Sequence, residues 1–489
     1  MIKKELYIDS IVGALFLFLF IGLSHFSMPI FEAMDRNIFD LGRHLPFSSG
    51  GTDRPKVTLI EIDDPSLLKF GPLPWSRQMI ADAIDKLQHD NAKIIALNIP
   101  LADPPHPPGL KDLEDLHEKI KVYSSGKEEE QAVSWILEDI KRIEDKFDAN
   151  QKLTKSIQNS GNVILAVYRK NDRLPNSISN SEESFLNDNL MVRSQLTPDN
   201  FKNIPNVEKL VFPPAEIMQP AAGMGFADSL FGRWGYRSHP LFYRYRNFFL
   251  PGLPFRVYLA YLNKKPDQTI VEEDHIKIGD RFLPTYKGEL LIKKTFPSKK
   301  ILRTYSMVDL FEGKINPEFI KDQVILIGLN TYDRRPLIYS HNDEIHANQW
   351  MAGVIDDMIH NAFISRPTFL VYLETTLLIL LAFWAVFIFA RWNSLRRLAA
   401  MAGLIILIIV ISLVLSAYGS LLLKTSLLTG CVFMIYMTIF IRQFFNFYHQ
   451  QDETVETSRL LALSLQSQGH LDQAFERFKK LPPDSETKD

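Results

Sequence analysis

The stretch KVTLIEIDDPSLLKFGPLPWSRQMIADAIDKLQHDNAKIIALNIP (residues 56–100) carries two apolar runs separated by a helical pattern. Residues 56–63 have the length and the Val, Thr and Ile content of a strand, and Ile80, Ile84 and Leu87 recur at the spacing of one helix face within 76–92. Ser76 is placed to cap that helix, and 93–100 supply a second strand. Strand, helix and strand in this length predict a parallel pair joined by a right-handed crossover. The pattern returns in 153–168, where a helix precedes NVILAVY, and KDQVILIGLN (321–330) is a further apolar strand. Together these predict an α/β domain, a mixed sheet with flanking helices.

The chain has 489 residues, is 46% hydrophobic and carries a net charge of -2, so it lacks the basic excess that attracts nucleic acid. Its single cysteine, Cys431, excludes a disulfide framework and a Cys-based zinc site. Apolar residues concentrate in four runs, 10–31, 369–390, 398–418 and 420–441, each near the ~20 residues that span a bilayer. The first is longer than a signal-peptide core and has no small-residue cleavage pattern, which predicts an uncleaved anchor. Lys3, Lys4, Arg391, Arg396, Arg397 and Arg442 fall on one side if the N-terminus is inside. The expected organisation is therefore 1–9 cytoplasmic, 32–368 periplasmic or outside the cell, and 442–489 cytoplasmic, in a multi-pass protein of the bacterial inner membrane. Glu374 and Lys424 are expected near the outer interface, with Lys424 snorkelling; the alternative is an intramembrane polar pair.

Residues 104–147 are charged and periodic, an inserted helical arm with Val133, Ile136, Leu137, Ile140 and Ile143 on one face, and 175–189 form a polar loop. The region 57–361 resembles the second type of CHASE domain (CHASE-2), an extracellular sensory module of bacterial membrane receptors. The resemblance rests on VTLIEIDDPSLLKFGPLPWSR, AKIIALNIPLADP, YRSHPLFYRYRNFFLPGLPFRVYLAYL, SMVDLFEGKINPEFIKDQVILIG and DEIHANQWMAGVID, in the family's order. It implies one span before the domain and three after it. Two departures stand out: Asn98 replaces a common aspartate, and NTYDRRPLIYSHN (330–342) matches the family's Asp…Thr-Pro stretch weakly.

Strand ends in α/β sheets are where ligands bind, so Asp63, Trp75, Arg77, Asn98 and His346 are the candidate ligand contacts. Each has a structural alternative. Asp64 can cap the Pro-Ser-Leu-Leu turn while Asp63 binds loop amides, and Trp75 with Arg77 can be a packed pair rather than a stacking face and a fixed cation. His341, Asp343, Glu344 and His346 match no familiar zinc spacing, and no nucleophile elbow, P-loop, dinucleotide or kinase motif is present. The expectation is a protein with no catalytic residue, metal or cofactor.

The tail TSRLLALSLQSQGHLDQAFERFKKLPPD (457–484) resembles one tetratricopeptide repeat, through Leu463, Gly469, Leu471, Ala474, Phe478 and Pro482. One such repeat cannot close its own apolar face. It is expected to dimerise or to dock a cytoplasmic kinase, cyclase or other regulator. The sequence thus reads as a homodimeric, non-catalytic sensor. The alternatives are an envelope scaffold that binds another protein through its exterior domain, and a periplasmic hydrolase using Asp63 and His346.

Overall fold

The computed structural model describes residues 2–24, 28–44, 54–101, 149–169, 204–228, 237–245, 248–272, 274–292, 302–330, 337–340, 343–389 and 392–481, with 232, 234 and 235. The expected arm at 104–147 and the polar loop at 175–189 lie outside these residues. The chain forms two bodies: a helical one of Met1–Leu41, Thr368–Leu415 and Leu423–Asp489, and an α/β one of Gly42–Pro367 with Ser416–Leu422.

Helices α1 (Ile2–Ser24) and α2 (Pro29–His44) precede β1 (Val57–Asp63), α3 (Asp64–Phe70), α4 (Arg77–His89) and β2 (Ile94–Asn98). Then come α5 (Ala149–Ser160), β3 (Val163–Arg169), β4 (Leu210–Val211), α6 (Ala215–Met218) and β5 (Gly223–Phe226). Short strands β6 (Ser238–Pro240), β7 (Phe242–Tyr245) and β8 (Phe248–Pro251) lead to α7 (Leu253–Tyr261). After it come β9 (Thr269–Val271), β10 (His275–Ile278), β11 (Arg281–Pro284), β12 (Glu289–Ile292), β13 (Arg303–Ser306) and α8 (Met307–Phe311). The body closes with β14 (Val324–Asn330), β15 (Leu337–Ser340), β16 (Asp343–His346), α9 (Ala347–Ile359) and β17 (Phe363–Ile364). Four helices follow, α10 (Thr368–Phe389), α11 (Ser394–Gly419), α12 (Ser426–Ser467) and α13 (Leu471–Phe478).

The main sheet runs β13-β1-β14-β2-β3-β5, all parallel, with β4 antiparallel to the end of β3. It is a mixed sheet, as expected. The expected β1–β2 pair is not adjacent, however: β14 enters between them, in register with β1 from Val57↔Val324 to Asp63↔Asn330. Val324, Ile325, Leu326 and Ile327 are all fully buried, and a strand apolar on both faces belongs at the centre.

One face of the sheet (Ile60, Ile62, Leu97, Ile327) packs under α4, α5 and α8 through Ile84, Ile157 and Leu310. The other (Leu59, Ala96, Ile164, Leu326) meets α7 and α9 through Leu253, Val257, Met351 and Ile355. The far sides of α7 and α9 (Phe255, Leu259, Trp350, Val354) are buried against Ile276, Leu283, Leu290 and Ile292 of the small strands. Both helices are thus clamped between two cores, each large buried side chain contributing about 1.5–3 kcal/mol. Where α7 meets β5 there is no side chain to spare: a Cβ at Gly225 would lie 2.5 Å from Leu253 Cα. The segment leading out of α11 also belongs to this body. Ser365 N–H donates to Ser420 O (2.8 Å), Leu422 N–H to Ser365 O (3.0 Å) and Arg366 Nη1 to Leu422 O (3.0 Å).

In the helical body, Phe20 of α1, Leu378 and Ala382 of α10, Met401 and Ile408 of α11, and Leu428, Val432 and Ile435 of α12 share one core. Two helices are long and apolar enough to cross a membrane among the described residues, over Leu395–Gly419 and Ser426–Tyr448, where the sequence predicted four. Gly13–Leu23 of α1 and Thr368–Trp384 of α10 are further, shorter apolar stretches among the described residues.

The head of α12 is held from outside the helix. Lys424 N–H donates to Glu374 Oε1 (2.7 Å), and Thr425 N–H (3.1 Å) and Ser426 N–H (3.0 Å) both donate to Asp35 Oδ1. Ser426 Oγ–H donates to Asp35 Oδ2 (2.8 Å). Glu374 therefore takes the backbone of Lys424. Burial raises the Asp35 pKa, and the Ser426 hydrogen bonds oppose that rise. From this head α12 continues for 42 residues, turns at Gly469 (φ 84°) and packs back through Ala462 and Ala474 onto α13.

Gly225→Ala places a methyl group in the backbone of α7. It is expected to destabilise the α/β body by about 1–3 kcal/mol, a fall of several degrees in the unfolding midpoint of the purified chain.

Candidate functional site

Because β1, β14, β2 and β3 are parallel, their carboxyl ends lie together, and alternation puts Glu61, Gly328, Asn330, Asn98 and Tyr168 on the face that α9 covers. Tyr168 Oη–H donates to Asn98 Oδ1 (2.9 Å), Asn98 Nδ2 donates to Asn348 Oδ1 (2.7 Å), and Asn348 Nδ2 donates to Leu329 O (2.7 Å). The relay runs in one direction across three strands and α9. It depends on Gly328, where any side chain would collide with the Asn348 amide. Beside it Asn330 Nδ2 donates to Glu61 Oε2 (2.7 Å).

Burial, then the carboxylate of Asp228, holds the Tyr168 hydroxyl well above the usual phenol range, so it remains a donor. Burial also raises Asp228, against the backbone N–H of Arg169 that it accepts. These groups bind polar neighbours through amides, a phenol and carboxylates. They contain no nucleophile paired with a base.

The structure does not gather the predicted contacts at one place. Asn98 is in the relay. Asp63 is the N-cap of α3, accepting from Ser66 N–H (3.1 Å), Ser66 Oγ–H (2.5 Å) and Ser306 Oγ–H (2.7 Å), and so ties β1 to β13. The capping role expected of Asp64 is thus filled by its neighbour. Ser76 caps α4 through Gln78 N–H (3.3 Å), as its sequence position implies.

Trp75 donates from Nε1 to Gly71 O (2.9 Å) and meets Phe70 edge-on at 5.7 Å. The apolar cavity beneath it, lined by Ile62, Met79, Ile99, Met307 and Phe311, is about 10 Å3, the lower limit for one water. Trp75 there serves packing.

Arg77 is 1% exposed and donates to Leu101 O (2.7 Å) and to Asn150 Oδ1, the residues on either side of the inserted segment. It ties Leu101 to Asn150.

His346 occupies the N-cap of α9, one turn before Trp350 and close in sequence to Asn348. Among the described residues no group of three or more His, Cys, Asp or Glu could hold a metal, and His341 lies outside them.

Sequence reasoning missed Glu61, Tyr168, Asn330 and Asn348 as members of one site. The available signal was that each polar residue interrupts or ends an apolar strand or opens a buried helix. It missed Arg256 too, buried on α7 with its pKa lowered to about 10 by that burial and one Nη donating to Ala222 O.

Asn98→Asp replaces the Nδ2 donor with an acceptor facing Asn348 Oδ1, whose own amide is committed to Leu329. The expected loss is about 1–3 kcal/mol near neutral pH. The new carboxyl, favoured in its neutral form, makes the deficit shrink as pH falls through its raised pKa; denaturant midpoints against pH check both. In an alkaline absorbance titration, Tyr168→Phe should match the wild type through pH ~10, the range in which ordinary tyrosines ionise.

The CHASE2 domain family model matches residues 13–390. No curated protein and no solved structure matches the chain.

Proposed function

The chain belongs to the CHASE2 family of extracellular sensory domains, and from that premise we propose that it is a non-catalytic membrane receptor of the bacterial inner membrane. The α/β body takes the extracytoplasmic signal, and the helical body passes it to a separate cytoplasmic kinase, cyclase or other regulator.

One observation carries this reading: α12 is a single 42-residue helix whose head is held by α2 and α10 and whose far end forms a hairpin with α13. Both helices that hold it are chain connections of the α/β body, α2 entering it and α10 leaving it. A ligand acts by favouring one of two arrangements of these connections, and the continuous helix conveys the difference. The shared core supports α1 and α10 as the remaining crossings of a four-helix bundle.

At the far end Leu460, Leu463, Leu471 and Phe475 are exposed. The receptor acts as a homodimer, and the hairpin docks its output protein there.

A photo-crosslinker at Leu471 in the full chain, in its native cells, is expected to trap one discrete signalling protein. Phe475→Glu should weaken that capture at least tenfold, about 1.4 kcal/mol. An empty tail at Leu471 would instead support an envelope scaffold.

A further inference from the structure

Helix α2 has its polarity turned outside in. Among its described residues Asp35, Phe39 and Asp40 are buried, whereas Ile30 (67%), Met34 (43%) and Leu41 (52%) are exposed. At about 100° per residue these three apolar positions fall within roughly 40° of one another, with Asn37 about 20° to one side of them. The inward face is fully used: Asp35 binds the head of α12, and Phe31 meets Phe20 of α1 at 6.1 Å. Both rings lie over Gly430, where a Cβ would be 3.2 Å from each.

A helix surrounded by water would turn these carboxylates outward and its aliphatic side chains inward. The same body also exposes apolar side chains on the helices that flank α2, Leu15 (63%) and Phe18 (74%) of α1 and Phe369 (57%) and Tyr372 (74%) of α10. α2 begins a few residues after the apolar part of α1 ends, at the bundle end where α12 begins. With Glu32, Asp35, Arg36, Asp40 and Arg43 it is too polar to cross the bilayer.

We propose that α2 is an in-plane interfacial helix, with Ile30, Met34 and Leu41 in the acyl–headgroup boundary of the outer leaflet. Its opposite face holds α12 through Asp35, so α2 is a lipid-contacting lever. The packing of the outer leaflet is then an input to the receptor in its own right. This inference rests on the membrane reading given above.

The test uses the full chain carrying Cys431→Ala in liposomes of phosphatidylethanolamine and phosphatidylglycerol, with one nitroxide label at a time. The labelled positions are Ile30, Met34 and Leu41, with Val410 of α11 as a control for the bilayer and Leu68, 89% exposed, as a control for water. Collision with oxygen, which partitions into lipid, is compared with collision with a water-soluble nickel chelate. The three α2 positions are expected to favour oxygen several-fold over Leu68, at a depth shallower than Val410.

Values equal to those at Leu68 would place α2 in water and overturn the proposal while leaving the bundle intact. Protection from both reagents would mean that a second copy or another protein covers the stripe, which also overturns it. An aqueous signal at Val410 would bring down the membrane reading, and this inference with it. The lever is read separately: Met34→Glu with Leu41→Glu is expected to speed amide exchange at Thr425 and Ser426 at least tenfold in the liposomes. Unchanged exchange there overturns the coupling.

Discussion

Three successive backbone N–H groups at the head of α12, those of Lys424, Thr425 and Ser426, end on carboxylates from two other helices. A helix start leaves its first amides without intrahelical partners, and burying one unsatisfied costs about 1–3 kcal/mol. Thr425 does not cap its own helix, so Asp35 and Glu374 do this work. The arrangement joins α2, α10 and α12 at one point. Below that point α12 runs unbroken for 42 residues, about 60 Å at 1.5 Å per residue. That exceeds the roughly 30 Å hydrocarbon core and leaves about half the helix to project beyond it.

The α/β body follows a second constraint, close approach without side chains. Gly225 lets α7 lie directly on β5, and Gly328 lets the Asn348 amide enter the carboxyl edge of the sheet. The helix cannot shift there without breaking the Tyr168–Asn98–Asn348 relay. Any ligand that competes for these polar groups must therefore act on α9, whose other face reaches the third core through Trp350 and Val354. Site and scaffold are coupled by construction.

Much of this was legible in residue order. The strands at 57–63, 94–98, 163–169 and 324–330, the helix at 77–89 and its Ser76 cap all follow local rules of period and capping. What local rules cannot supply is pairing over long separations. Nothing near 60–100 says that a strand more than 200 residues later will lie between β1 and β2, nor that Asp63 will meet Ser306. Arg77 was legible as a fixed cation but not as a tie between Leu101 and Asn150. Asn98 is legible as a polar end to an apolar strand, but not as a side chain that donates to Asn348 while accepting from Tyr168. Of the apolar run at 10–31, residues 10–24 belong to α1 and 29–31 already open α2, a break that the hydropathy of the run does not show.

The central claim is that the α/β body and the α12–α13 hairpin lie on opposite sides of one bilayer. It is tested most directly by the sidedness of two cysteines in intact cells, in a background carrying Cys431→Ala, at the exposed positions Leu68 of α3 and Phe475 of α13. A membrane-impermeant maleimide should label Leu68→Cys from outside the inner membrane, and Phe475→Cys only after that membrane is breached. Equal labelling of both sites without permeabilisation, or of neither, would contradict the account.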